Sequence, residues 1–188
     1  KFISELVMNT KKNESVIDIG ANVGDTLIRL INGNANLNYY CIEADDYYFN
    51  YLKKNKDLLD KNLQDKIVLI KELVGDDLVG NLSSTKGGSA TLIKANTGLK
   101  SKTLDEIIID NKIENIDLIK IDIDGYDYNA LFSGMNYIKK NKPNLFFECA
   151  TLYKESFRGY VSIIEELFKV GYKNWTILDN YGSIIFEN

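Results

Sequence analysis

The stretch VIDIGANVGD, Val16 to Asp25, constrains this chain more than any other. An apolar run carries a single acid, Asp18, and passes into a turn in which Gly20 and Gly24 bracket Asn22. An Asp-Thr pair that can start a helix follows. A run this apolar reads as a strand buried on both faces. A buried strand, a glycine turn and a helix N-terminus together form a cradle for a nucleotide-like ligand.

The rest of the chain repeats that unit. SVIDIG reads as the first strand, and residues 25–32 as a helix with Gly33 near its C-cap. YYCIEA is a second strand. In DDYYFNYLKKN the residues Tyr48, Tyr51 and Leu52 share one helical face. KIVLIKELVG is a third strand. Residues 76–102, rich in Gly, Ser and Asn, read as an irregular excursion with room for a hairpin. In TLDEIIIDN, Thr103 is an N-cap and Glu106 completes a capping box. IDLIKIDID is a fourth strand, followed by a helix from Tyr126 to Lys140 with Tyr128, Leu131, Phe132 and Met135 on one face. NLFFECA is a fifth strand. A helix near 160–170 stops at Gly171, and NWTILDN and GSIIFEN close the chain as an antiparallel hairpin around Tyr181-Gly182.

Strands alternating with helices predict an α/β fold: a mostly parallel sheet covered on both faces, with the antiparallel hairpin at its end. The expectation is one domain over 1–188, with an N-terminal helix within 1–13 and a variable lid over 76–102. Ligands of such sheets sit at the carboxyl ends of the strands. Asp18, Glu43, Asp122, Asp124 and Glu148 all fall in or near strand ends.

Composition narrows the chemistry. The chain has no histidine, which excludes Ser-His-Asp and Cys-His catalysis and most zinc sites. Cys41 and Cys149 lie in strand-like runs and read as buried reduced thiols. A net charge of −4 argues against a nucleic-acid partner. No apolar run approaches the ~18 residues of a membrane span, and no signal peptide is visible. The expected location is the cytoplasm.

The turn also selects its ligand. A dinucleotide turn places glycine where this chain has Asn22, and a side chain there crowds a diphosphate. No Lys-Ser/Thr follows, so the turn is not a P-loop. The Asp18 carboxylate repels phosphate. A phosphate-free adenosine ligand with positive charge fits better, and S-adenosylmethionine is such a molecule. Its ammonium would be drawn to Asp18 and its carboxylate to the amides at the helix start. Glu43, about 20 residues on, suits a pair of ribose hydroxyls. A nicotinamide-dependent oxidoreductase and a non-catalytic nucleoside-binding domain are the alternatives.

Four stretches resemble the FkbM-type methyltransferases: VIDIGANVGD, CIEADDYYFNYLKKN, TLDEIIIDNKIENIDLIKIDIDGYDYNALFSGMNYIKKNKP and NLFFECA. The resemblance runs from about residue 14 to 150. The long third stretch is the most specific. The family usually has Glu where this chain has Asp124 and Asp127, so the charge is kept and the reach shortened. The resemblance implies an S-adenosylmethionine-dependent O-methyltransferase on a Rossmann-like seven-stranded sheet. Its acceptor would be a small-molecule hydroxyl, on a sugar, glycan or natural product. It places Asp18, Gly20, Asn22, Gly24 and Thr26 at the methionine end, and Glu43 and Ala44 at the ribose and adenine. Val74 and Gly75 fall at the adenine edge and Asp122 near the sulfonium.

Methyl transfer to an alcohol requires an acceptor held in line and relieved of its proton. Asp122 is the expected general base, with Asp124 beside it where Asp124-Gly125 ends the strand. The alternative use of these acids, with Glu148, is as oxygen ligands for Mg²⁺. No dedicated metal site is expected. Lys120 reads as a core-edge lysine. Tyr126 and Tyr153 are candidates for an acceptor pocket.

Overall fold

The computed structural model describes residues 2–11, 13–84, 88, 90–151, 154–179 and 181–187. The chain begins with α1 (Phe2–Val7), β1 (Ser15–Ile19), α2 (Asp25–Gly33), β2 (Asn38–Ile42), α3 (Asp46–Asp57), α4 (Lys61–Gln64) and β3 (Ile67–Ile70). Three antiparallel strands follow: β4 (Val79–Ser84), β5 (Ala90–Lys94) and β6 (Leu99–Lys100). The remainder is α5 (Leu104–Asp110), β7 (Ile116–Ile121), α6 (Asp127–Ser133), α7 (Met135–Asn141), β8 (Asn144–Phe147), α8 (Lys154–Lys169), β9 (Thr176–Leu178) and β10 (Ile184–Glu187).

The five apolar strand runs assemble into one parallel sheet in the order β3-β2-β1-β7-β8. Every residue of β1 is buried, as its unbroken apolar run requires. Side chains alternate across the sheet, so β1 feeds two cores. Ile17 and Ile19 join Ile119, Ile121, Leu104, Leu131 and Ile163 on one face. Val16 joins Val7, Leu27, Leu30, Cys41, Leu52 and Leu118 on the other. Each fully buried side chain of this size stabilises the fold by about 1.5–3 kcal/mol relative to exposure.

Several expectations change. The parallel sheet has five strands, not seven. β9 and β10 pair antiparallel as a separate two-stranded sheet, and all four residues of β10 are exposed. Alternating hydrophobicity identifies a strand without naming its neighbour. The turn between them is as expected: Asp179 Oδ1 accepts from the amides of Tyr181 at 2.9 Å and Ser183 at 2.8 Å. Over its described part the excursion after β3 holds the hairpin its sequence leaves room for, β4–β5, with β6 added on the other edge of β4. The helix expected over 126–140 breaks at Gly134, which ends α6 and opens α7. A Cβ there would lie 2.6 Å from Leu104 Cδ2, so α5 packs onto the bare backbone at the break. Tyr51 and Phe132 are exposed, while their expected face-mates Tyr48, Leu52 and Leu131 are buried. Cys41 is buried but Cys149 is exposed, past the end of β8. Tyr153 lies outside the described residues.

The capping box of α5 forms as read. Thr103 Oγ1 accepts from the Glu106 amide at 3.2 Å, and Glu106 Oε2 accepts from the Thr103 amide at 2.9 Å. Thr103→Ala is expected to lower stability by about 1 kcal/mol, read as a fall in the urea midpoint. An unmoved midpoint would show that the box contributes nothing.

Candidate functional site

The chain runs outward from β1 to β2 and β3, then returns to β7 beside β1 and continues to β8. The connections leaving β1 and β7 diverge, and a crevice opens between them. Gly20 makes their meeting possible. Its φ is +77°, and a Cβ on it would stand 2.0 Å from the Asp122 carbonyl oxygen. Asn22 and Gly24 also adopt positive φ, 50° and 93°. The Gly20 and Ala21 amides both donate to the Ile42 carbonyl, at 3.0 and 3.1 Å. These bonds tie the turn to the end of β2.

Glu43 stands at that end. Its Oε2 accepts from the Asn22 amide at 2.9 Å and its Oε1 from the Asp45 amide at 2.8 Å. Burial pushes its carboxyl above the usual range, and the amides pull it down. Asp45 in turn caps α3, accepting from the amides of Tyr47 and Tyr48. The Asn22 side chain reaches outward: its Nδ2 donates to the Gly88 carbonyl at 2.7 Å.

A cavity of about 560 Å³ fills the crevice. Of the sequence-derived site residues, Gly20, Asn22, Thr26, Glu43, Ala44, Val74, Asp122 and Asp124 lie on its wall. Asp18, Gly24 and Gly75 are not part of the wall. A Cβ on Gly24 would stand 2.8 Å from Leu52 Cδ1, and one on Gly75 2.3 Å from Asn129 Oδ1. Asn129 holds the loop after β3, accepting from the Asp76 amide at 2.8 Å. Tyr126 lines the cavity, with Lys94 Nζ 5.4 Å from its ring centroid. The antiparallel insertion closes the outer side through Leu82, Gly88, Ala90 and Leu92.

Lys120, expected as a core-edge lysine, lies on the wall. In the β1–β7 register it stands opposite Asp18, and both are almost fully buried. Its Nζ is 3.0 Å from Asp18 Oδ1, 3.4 Å from Asp122 Oδ2 and 3.4 Å from the Gly20 carbonyl oxygen. The Asp18 contact is an attraction of charges rather than a well-directed hydrogen bond, since neither Asp18 oxygen has an aligned donor among the described residues. Burial drives the Asp18 carboxyl upward against the pull of Lys120. Burial alone would lower the lysine, but the two carboxylates outweigh it and hold the ammonium in its charged form. A lysine inside an apolar strand, two residues before an acid, was the available signal.

The charge of the wall is one-sided. Asp25, Glu43, Glu72, Asp122 and Asp124 face it, and Lys120 is the one cation among the described lining residues. With that cation already engaged by carboxylates, the cavity favours a positively charged guest over a polyphosphate. Among the described residues no group of three or more acids and cysteines is placed to hold a metal ion. Glu148, at the end of β8, has its carboxyl raised by burial and by Asp122 and Asp124.

A doubly wound parallel sheet with an acid-walled crevice at its switch point defines a Rossmann-like domain. The chain belongs to the FkbM methyltransferase family, whose domain matches residues 18–173. Its structure is similar to that of the methyltransferase FkbM from Methylobacillus flagellatus KT, with a TM-score of 0.63 and 19% identity over 94% of this chain and 44% of that one. The chain thus spans less than half the length of that relative. An O-methyltransferase from Bacillus cereus in complex with SAH gives a TM-score of 0.59 and 16% identity, covering 96% and 74%. A precorrin-6y C5,15-methyltransferase from Geobacter metallireducens GS-15 gives 0.54 and 12%, covering 97% and 79%. At these identities the likeness is one of fold. No curated protein matches the sequence. Among the described residues no helix is long and apolar enough to cross a membrane.

Asp127 sits beneath the site without solvent exposure. It accepts from the Glu148 amide and the Tyr160 hydroxyl, each at 3.3 Å. Burial first, then Asp122 and Glu148, push its carboxyl up to about 6. The folded protein therefore binds this proton more tightly than the unfolded chain, and stability contributed here falls as pH rises from about 4 to 6. Asp127→Asn removes that loss. Urea titrations should show the variant gaining about 1–3 kcal/mol on wild type between pH 4 and pH 7. A constant difference across that range would refute the assignment.

Proposed function

We propose that this chain is an S-adenosylmethionine-dependent O-methyltransferase acting on a hydroxyl of a small molecule, a sugar, glycan or natural product. The observation that carries the reading is the charge of the cavity, five carboxylates against one engaged lysine. S-adenosylmethionine carries its methyl group on a cationic sulfur, which such a wall attracts and which leaves readily on attack. A nicotinamide dinucleotide carries two phosphates that the same wall repels.

The residues present fit that ligand. Each Glu43 oxygen has accepted one amide and keeps a second lone pair for a ribose hydroxyl. Ala44 and Val74 frame the adenine side, with Ile42, Leu73 and Leu78 supplying apolar wall for a flat ring. Gly20, Asn22 and Thr26 meet the methionine end, with Asp18 and Gly24 supporting that turn from behind. Gly75 shapes the loop after β3. Asp122 faces the sulfonium side and takes the acceptor proton, and Asp124 borders the same space. The acceptor enters against Tyr126 and the insertion. Holding the hydroxyl in line while Asp122 receives its proton is the chain's main contribution to rate. Mg²⁺ on Asp122, Asp124 and Glu148 is not favoured, and no step depends on it. The negative wall does not suit a nucleic-acid acceptor, and a cytoplasmic setting matches the abundance of the cofactor.

Calorimetry tests the reading. S-adenosylmethionine should bind wild-type protein and NAD should not. Glu43→Ala should weaken the first interaction by about 1–3 kcal/mol, the range for a lost charge-assisted hydrogen bond. Tighter binding of NAD would overturn the proposal, and an unchanged affinity in the variant would move the ribose elsewhere.

A further inference from the structure

Lys120 is unusual because it lines the cavity while its ammonium is engaged by oxygens of the chain itself. Three oxygens lie within 3.4 Å of Nζ, from Asp18, Asp122 and Gly20. Those oxygens come from β1, from the turn after β1 and from the end of β7. The lysine therefore spans both connections of the switch point. Asp122 is half exposed at its side chain, whereas Asp18 and Lys120 are buried. One end of the triad is fixed in the core and the other is free to swing unless the lysine holds it.

We infer that Lys120 is the positioning residue of this site: anchored on Asp18, its ammonium aims the Asp122 carboxylate into the cavity and clamps the Gly20 turn against β7. It acts through Asp122 rather than by touching the guest. Aspartate 122 held inward presents a fixed negative charge to a cationic guest. Released, it turns to solvent and that attraction is lost. The inference concerns the same cavity as the proposed function and rests on that reading for the identity of the guest.

The test separates position from charge. Lys120→Met alone leaves Asp18 buried without its cation and is expected to unfold readily. The double variant D18N/K120M removes one positive and one negative charge, so the triad keeps its net charge of −1. Replacing both partners of a buried pair is often tolerated, and a thermal melt within a few degrees of wild type is the criterion of folding. Calorimetry with S-adenosylmethionine and with S-adenosylhomocysteine, whose sulfur is neutral, then reads the position of Asp122. The expected result is an S-adenosylmethionine dissociation constant raised about tenfold, the size of one partly screened charge interaction. The S-adenosylhomocysteine constant should stay within about twofold, a difference too small for a lost charge contact. Equal changes for both ligands, or none, would overturn the inference, because a lysine that only supports the core does not discriminate sulfur charge. Hydrogen exchange supplies a readout that needs no ligand. The amides of Gly20, Ala21 and Asp122, bonded to Ile42 and Ile19 carbonyls, should exchange faster in D18N/K120M than in wild type, while amides of α8 stay unchanged. Unaltered exchange at the switch point would also overturn it. Wild-type protein that binds neither ligand would sink the proposed function, and the exchange result would then decide the role of the lysine by itself.

Discussion

The structure depends on a single close approach, that of the Gly20 backbone to the Asp122 carbonyl. A Cβ on Gly20 would stand 2.0 Å from that oxygen, a separation no side chain tolerates. Every other feature of the crevice follows from it. The turn after β1 can pack against the end of β7, its amides reach the Ile42 carbonyl, and the Asn22 amide reaches Glu43. Without glycine at this point the two halves of the sheet would part where they are meant to form a floor.

Electrostatics act on that frame. A buried carboxylate is costly unless paired, and removal of one partner of such a pair typically costs about 3–5 kcal/mol. Asp18 meets this demand through Lys120, its cross-strand neighbour, and Lys120 meets a second carboxylate at the cavity. The rest of the wall is left acidic. A domain that holds dinucleotides needs room for phosphate at the glycine turn. Here Asn22 takes that room, donating through Nδ2 to Gly88 and accepting from the Val23 amide through Oδ1. Shape and charge therefore act at the same spot, and both underlie the proposed choice of a phosphate-free guest.

Much of this was legible in the sequence because it is local. The capping box at Thr103 and Glu106, the buried strand Ser15–Ile19, the turn at Gly20–Gly24 and the acid at Glu43 each rest on a few adjacent residues. The rest is tertiary and not legible in the sequence. The break at Gly134 is set by Leu104 from another helix. The pairing partner of the closing hairpin is not encoded in its alternation. The position of Asp18 in its strand gives no sign of its partner, which the β1–β7 register makes Lys120. The room for a hairpin within 76–102 is legible in its Gly, Ser and Asn residues, but the pairing of β4 with both β5 and β6 is not. The inward role of Leu82 and Leu92 emerges only from the β4–β5 register, in which they stand directly opposite.

A crystal soaked with S-adenosylhomocysteine tests the central claim most directly. The account predicts the thioether lying across the floor made by Gly20 and Asp122, with the ribose hydroxyls on the Glu43 carboxylate and the adenine toward Val74. Density for the thioether away from that floor, or a ribose bound without Glu43, would contradict it.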